Sequence, residues 1–138
     1  EMTAHNAKQN GLAVEAVEAD VFDFLTELDK KKDHSYDYIV LDPPAFTKSG
    51  KTVHEAFRGY KEINYRAMKI LPRGGYLATC SCSHFMGEEL FVKMVKEAAR
   101  DAGVTLRQIE FRQQAPDHPI LMTVPETYYL KFFLFQIV

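Results

Sequence analysis

The stretch LATCSCSH, residues 77–84, sets two thiols and an imidazole at alternate positions. Cys80, Cys82 and His84 are side chains that bind metals, exchange electrons or attack electrophiles. In an extended strand Cys80 and Cys82 face one side, with Ser81 and Ser83 on the other. Structural zinc sites usually take four ligands from two separated pairs, and the chain has only these 2 cysteines. His118 lies far along the sequence, so no metal site is expected. A disulfide between cysteines this close has poor geometry. What remains is either inert buried thiols, because free cysteine is often core, or a nucleophilic thiolate at a strand end. A thiolate needs stabilisation, and the helix expected from about Gly87 offers its N-terminus.

Three further stretches carry candidate chemistry. In DPPAF, residues 42–46, two prolines stiffen the backbone and remove two amide donors. Asp42 can then accept from an amino or ring N–H group, and Phe46 can stack on a flat ring or simply fill the core. In RGYKEIN, residues 58–64, Arg58 and Lys61 suit phosphate and Tyr60 suits stacking, unless this is an ordinary helix with a solvated face. QAPDHPIL puts Asp117 and His118 in a proline-bounded loop, where histidine can act as an acid–base group or serve a structural role.

The elements that must position these residues alternate. A helix is expected over 1–10, closed by Gly11. AVEAVEAD, 13–20, alternates like a strand and stops at Asp20. Phe22, Leu25 and Leu28 have helical spacing, followed by lysines that suit a helix C-terminus. The run 36–42 is nearly all apolar and reads as a buried parallel strand. Residues 43–52 form a loop and 55–71 a helix. YLATC is a strand, 87–103 an amphipathic helix closed by Gly103, and TLRQIEFR a strand. Residues 115–127 form a proline-rich loop, and YYLKFFLFQIV is a last strand. The alternation implies a parallel α/β sheet, with the last two strands antiparallel because no helix joins them. Ligands of such sheets sit at the carboxyl ends of the strands. Asp20, Asp42 and the CSCSH stretch all fall on that rim.

Composition sets limits on function. The 138 residues are 46% hydrophobic and 12% aromatic, enough for one domain with a core. A formal charge of −2 gives no global basic field, which excludes a purely electrostatic nucleic-acid binder but not an enzyme with a local basic groove. The cysteines read as reduced thiols of a cytoplasmic protein. No run reaches the roughly 18–20 apolar residues of a membrane span, and no signal peptide is visible.

Taken together, LDPPAFTKS, RGYKEIN, PRGGYLATCSCSH, QAPDHPIL and PETYYLKF, in this order and spacing, resemble the bacterial large-subunit ribosomal RNA cytosine-C5 methyltransferases. These are class I S-adenosylmethionine enzymes that carry an N-terminal PUA domain. The resemblance covers essentially all of residues 1–138, as the C-terminal part of the catalytic domain. It implies that Asp20 approaches the cofactor's adenine amine, with Val21 beside the ring. Asp42 and Pro43 fall where cofactor and target base meet. Pro44 and Phe46 line the base pocket, and Arg58, Tyr60 and His118 contact RNA. Cys82 matches the cysteine that attacks C6 of cytosine, and Cys80 falls where other residues are tolerated. The alternatives are an amino-group methyltransferase using the DPPAF loop, with Cys82 a bystander, and a non-catalytic binding module that lost its cofactor.

Two departures stand out. Pro44-Ala45 occupies the place where many RNA cytosine-C5 methyltransferases hold a second cysteine, so the base that removes the C5 proton is unassigned. The glycine-rich cofactor loop and the acid for the ribose hydroxyls are absent, because the family places both before residue 1. The family sheet order 3-2-1-4-5-7-6 then predicts strands 3 to 7 here, an incomplete Rossmann-like sheet. The strand 36–42 has an unpaired edge, prone to homodimerisation or swapped self-association. Little cofactor binding and little activity are expected of the isolated chain.

Overall fold

The computed structural model describes residues 1–46 and 50–138. Thr47, Lys48 and Ser49 of the expected 43–52 loop lie outside the described residues. Four helices and four strands follow in the order α1 (Met2–Gln9), α2 (Val21–Lys30), β1 (Tyr38–Leu41), α3 (Val53–Ile70), β2 (Tyr76–Ser81), α4 (Glu88–Ala102), β3 (Leu106–Arg112) and β4 (Lys131–Ile137). Short 3-10 turns precede α3 and β4, at Gly50–Thr52 and Pro125–Thr127.

The helix boundaries follow local chemistry. Asp20 caps α2, its Oδ1 accepting from the Phe22 and Asp23 amides at 2.8 and 3.2 Å, which satisfies donors that a helix start leaves unpaired. Pro72 ends α3 by withholding an amide. Gly103 ends α4 in the left-handed region at φ 70°, where a side chain is disfavoured. Glu88 and Glu89 occupy the first turn of α4 and Arg100 the last, each complementing the helix dipole.

The sheet order is β1-β2-β4-β3. β1 pairs parallel with β2, while β4 pairs antiparallel with both β2 and β3. The antiparallel pairing expected of the last two strands is present, and β4 enters the sheet between β2 and β3. Along β3 the register shifts between Gln108 and Glu110, a bulge that bends the edge strand.

One face of the sheet carries the core. Leu77, Phe133, Phe135 and Ile137 pack under Ile63, Ala67, Met68 and Ile70 of α3 and Phe91, Met94, Val95 and Ala98 of α4. Burying a side chain of this size stabilises the fold by about 1.5–3 kcal/mol, so this layer dominates the stability of the chain. α2 joins it through Leu25 and Leu28. The opposite face is open: Tyr38 and Tyr76 stack there with ring centroids 6.0 Å apart, and Tyr38 and Val40 are exposed.

The expected strand at 13–20 does not form; these residues hold no regular structure and all are exposed. A strand needs a neighbour to pair its amides and carbonyls, and none of the described strands offers 13–20 an edge in this sheet. The strand expected over 36–42 shortens to Tyr38–Leu41, and that over 128–138 to Lys131–Ile137.

Candidate active site

The carboxyl ends of β1 and β2 lie side by side and deliver Asp42 and the CSCSH stretch to one rim, with Leu41 paired to Thr79. The two cysteines meet opposite environments. Cys80 is buried inside β2, its thiol donating to the Leu41 carbonyl at 3.2 Å and reaching Asp42 Oδ1 at 3.5 Å. Burial, reinforced by the Asp42 charge and hydrogen bond, pushes the Cys80 thiol up to about 12. At neutral pH it is a hydrogen-bond donor and not a nucleophile. Cys82 lies one residue beyond the end of β2 and is exposed. The shared face expected for the pair is lost because the strand ends between them.

The turn after β2 is tightly held. Ser83 N donates to Ser81 Oγ at 3.3 Å, and Met86 N donates to the Ser83 carbonyl at 3.1 Å. Met86 itself is fully buried and pins the turn against the core. From β4, the buried Lys131 donates through Nζ to the Ser83 carbonyl at 2.5 Å and the Tyr129 carbonyl at 2.8 Å.

Tyr60 corrects the expectation of a stacking residue for RNA. Its exposure is 0%, because it lies on the face of α3 that meets the sheet. Ser81 Oγ donates to its hydroxyl at 3.0 Å, and the Phe46 backbone bonds the same hydroxyl. Its ring meets Phe46 edge-on at 4.6 Å and Phe91 at 6.1 Å. Burial raises the phenol above its ordinary range. Tyr60 therefore clamps the DPPAF loop to the end of β2.

Phe46 is half-buried between Tyr60 and Phe22, the latter at 6.4 Å, and its ring lies against Gly59. The Phe22 contact brings the start of α2, with Asp20 and the exposed Val21, to the same loop. Asp42 and Pro44 are exposed and Pro43 is half-buried. Asp20, Val21, Asp42, Pro43, Pro44, Phe46 and Cys82 are thus gathered along one rim. The Asp20 capping bonds both use Oδ1, and Oδ2 has no partner among the described residues.

His118 joins from the long loop. Its Nδ1 lies 3.2 Å from the Tyr129 hydroxyl, and Asp117 is 3.9 Å from its other nitrogen. Since the Tyr129 carbonyl also receives Lys131, His118 is linked to the Cys82 turn. Arg58 is not: it lines a groove with Lys61, Glu62, Tyr65 and Asp101 that contains none of the rim residues. Lys61 is spent on Glu97 at 3.4 Å and Asp101 at 2.7 Å, which fastens α3 to α4 and leaves it little charge for phosphate. Among the described residues no three His, Cys, Asp or Glu side chains converge as metal ligands, and no helix is long and apolar enough to cross a membrane.

Two residues of this neighbourhood take roles that the motifs do not assign to them. Lys131 is signalled in the sequence by a single cation inside the otherwise apolar YYLKFFLFQIV. Cys80 as the hydrogen-bond partner of Asp42 has no sequence signal, since it depends on β1 and β2 being adjacent.

Known proteins resemble the chain in sequence and in fold. The chain is 44% identical over 134 residues to ribosomal RNA large subunit methyltransferase I of Aeromonas salmonicida, a match covering 95% of the chain and 34% of that protein. The protein of the same name from Shewanella amazonensis is 46% identical over 130 residues, covering 92% of the chain and 33% of the relative. Its homologues are large-subunit rRNA methyltransferases. The chain spans about a third of the length of these curated relatives, and it fits their C-terminal part. No protein-family model matches it.

Among solved structures, a candidate methyltransferase complexed with SAH superimposes with a TM-score of 0.79 at 20% identity, over 97% of the chain and 35% of its own length. A candidate SAM-dependent methyltransferase from Streptococcus mutans gives 0.80 at 20% identity, over 97% and 34%. At that identity the likeness is one of fold, and the four-stranded sheet is a partial Rossmann-like sheet of methyltransferase type.

Proposed function

We infer that the chain is the C-terminal portion of the catalytic domain of an S-adenosylmethionine-dependent methyltransferase acting on C5 of a cytosine in large-subunit ribosomal RNA, with Cys82 as nucleophile. The observation that carries this reading is the contrast between the cysteines. Cys80 is buried and held as a thiol, while Cys82 is exposed at the rim beside Asp42 and the DPPAF loop.

Cytosine C5 is a poor nucleophile. Addition of the Cys82 thiolate forms a bond to C6 and shifts the C5–C6 π pair toward C5. S-adenosylmethionine would supply the electrophilic methyl group that C5 takes up, its S–CH3 bond breaking to leave the neutral thioether S-adenosylhomocysteine. Loss of the C5 proton to a base then restores the double bond as the sulfur–C6 bond breaks. Asp42 holds the N3/N4 edge of the ring and offsets the charge that develops there. The Cys80 thiol, shared between the Leu41 carbonyl and Asp42 Oδ1, lies against that carboxylate. Asp20, whose Oδ2 has no partner among the described residues, and the exposed Val21 fit the amine and the ring of an adenine, and would hold that end of the cofactor. The target base must leave its stack to reach the rim.

The test is the intact mass of the full-length protein after incubation with cofactor and RNA containing 5-fluorocytosine. Fluorine blocks elimination, so a protein–RNA adduct is expected that disappears in Cys82→Ala. Methyl transfer that survives Cys82→Ala without an adduct would move the reaction to an amino group held by Asp42. Binding of the isolated chain to the cofactor is expected to be weak by titration calorimetry, because the sheet face opposite α3 and α4 is open. The free edge of β1, with Val40 61% exposed, supports self-association of the isolated chain. Light scattering is expected to show a concentration-dependent mass that falls in Val40→Lys.

A further inference from the structure

Lys131 is a lysine with 1% exposure on the face of the sheet that carries the core. Ammonium groups are seldom buried this completely without an acidic partner. Among the described residues no carboxylate pairs with it, and its side-chain bonds run to two neutral carbonyls, those of Ser83 and Tyr129. Its backbone pairs with Ser81 across the β2–β4 ladder. Lys131 thus grips the chain on both sides of Cys82, at Ser81 through the ladder and at Ser83 through its amine.

The surrounding groups narrow its role. Asp42 directly follows β1 and Cys80 lies in β2, Tyr60 in α3, His84 in the turn and Glu88 at the start of α4. Among the described residues, Cys82 is the titratable group whose charge bears on the Lys131 amine. The amine falls to about 8 through burial, opposed by Cys82, and at neutral pH it still carries its charge. The helix N-terminus expected to favour a thiolate is a weaker source of positive potential here, because Glu88 and Glu89 fill the first turn of α4.

We propose that Lys131 is a positioning residue for Cys82: its buried ammonium ties the turn after β2 to β4 and supplies the positive charge that favours the Cys82 thiolate. This rests on the reading of Cys82 as nucleophile, and it gives a role to a residue that the reading left without one.

The experiment follows alkylation of Cys82 by iodoacetamide as a function of pH in the full-length protein, read on the Cys82 peptide by mass spectrometry. In Lys131→Met the midpoint is expected to rise, with about tenfold slower alkylation at pH 7, the scale of losing one close opposite charge. An unchanged midpoint in a folded Lys131→Met protein overturns the proposal. Should that variant not fold, the reciprocal measurement uses Cys82→Ser, an exposed and mild change. The Lys131 Nζ titration, followed by NMR, is expected at lower pH in Cys82→Ser than in the unsubstituted protein, and an identical titration overturns the proposal. Neither readout depends on methyl transfer. Retained activity in Cys82→Ala would therefore remove the nucleophile reading by itself, while an absent coupling would remove only Lys131.

Discussion

The β2–β4 ladder and the stretch from Leu12 to Asp20 are opposites within one chain. In the ladder every residue of β2 after Tyr76 is buried, and β4 alternates buried and half-buried positions. In the stretch every residue is exposed, including Val14 and Val17 at 50% and 59%. Both alternate residues of different polarity along an extended backbone. What separates them is pairing: β2 has a neighbour on each side, and 12–20 has none. Propensity without a partner does not make a strand. The candidate site spans the two regimes, since Cys82 and Asp42 are held by the ladder and its rim, while Asp20 follows the unpaired stretch.

That contrast can be broken by substitution. Tyr60→Ala empties a fully buried aromatic site and cuts the clamp between Ser81 and the DPPAF loop. A loss of about 3–5 kcal/mol is expected in denaturant unfolding. A comparable loss from a change in 12–20 would show that the stretch is packed after all.

Alkaline titration of stability sharpens the same comparison. The Cys80 thiol is raised from 9.0 to about 12 in the folded chain, so its contribution is complete below pH 9 and is lost as pH climbs toward 12. Lys131 is lowered from 10.5 to about 8. Its burial costs most below pH 8, and that cost is relieved between pH 8 and 10.5. The two slopes oppose one another where they overlap. Melting temperature against pH is expected to fall less steeply above pH 10 in Cys80→Ala than in the unsubstituted chain.

Smaller effects belong to the other region. Asp20→Ala removes the α2 cap and is expected to cost about 1 kcal/mol, visible as a lower melting temperature. Val17→Ser, in the unpaired stretch, is expected to stay within about 0.5 kcal/mol of zero. A larger drop there would mean that 12–20 contributes to the folded core.

Most of the elements were legible from residue spacing, because apolar periodicity reports which side of an element meets a core. The helices α2, α3 and α4 follow Leu25 and Leu28, Ile63 and Ala67, and Phe91 and Val95. The sheet order with β4 inside followed only from the family resemblance, and the pairings confirm it. Tyr60 was misread because a tyrosine beside Arg58 and Lys61 suggests an RNA surface, whereas α3 turns it inward and leaves Lys61 to Glu97 and Asp101. Cys80 and Lys131 depend on contacts between residues 38 and 48 positions apart. No local pattern encodes such contacts.

The position of β4 bears on how the chain is made. β3 precedes β4 in synthesis, yet β4 separates β3 from β2 in the finished sheet. Until residues 131–137 leave the ribosome, β2 keeps one edge open and β3 has no neighbour at all. At about 5–20 residues per second, residues 82–130 take a few seconds to emerge. For that interval the hydrophobic β2 is a nascent edge in search of a strand. Insertion of β4 joins β3 to β2, and in the same step it brings Lys131 to the turn that holds Cys82, so this part of the sheet and that turn take shape together.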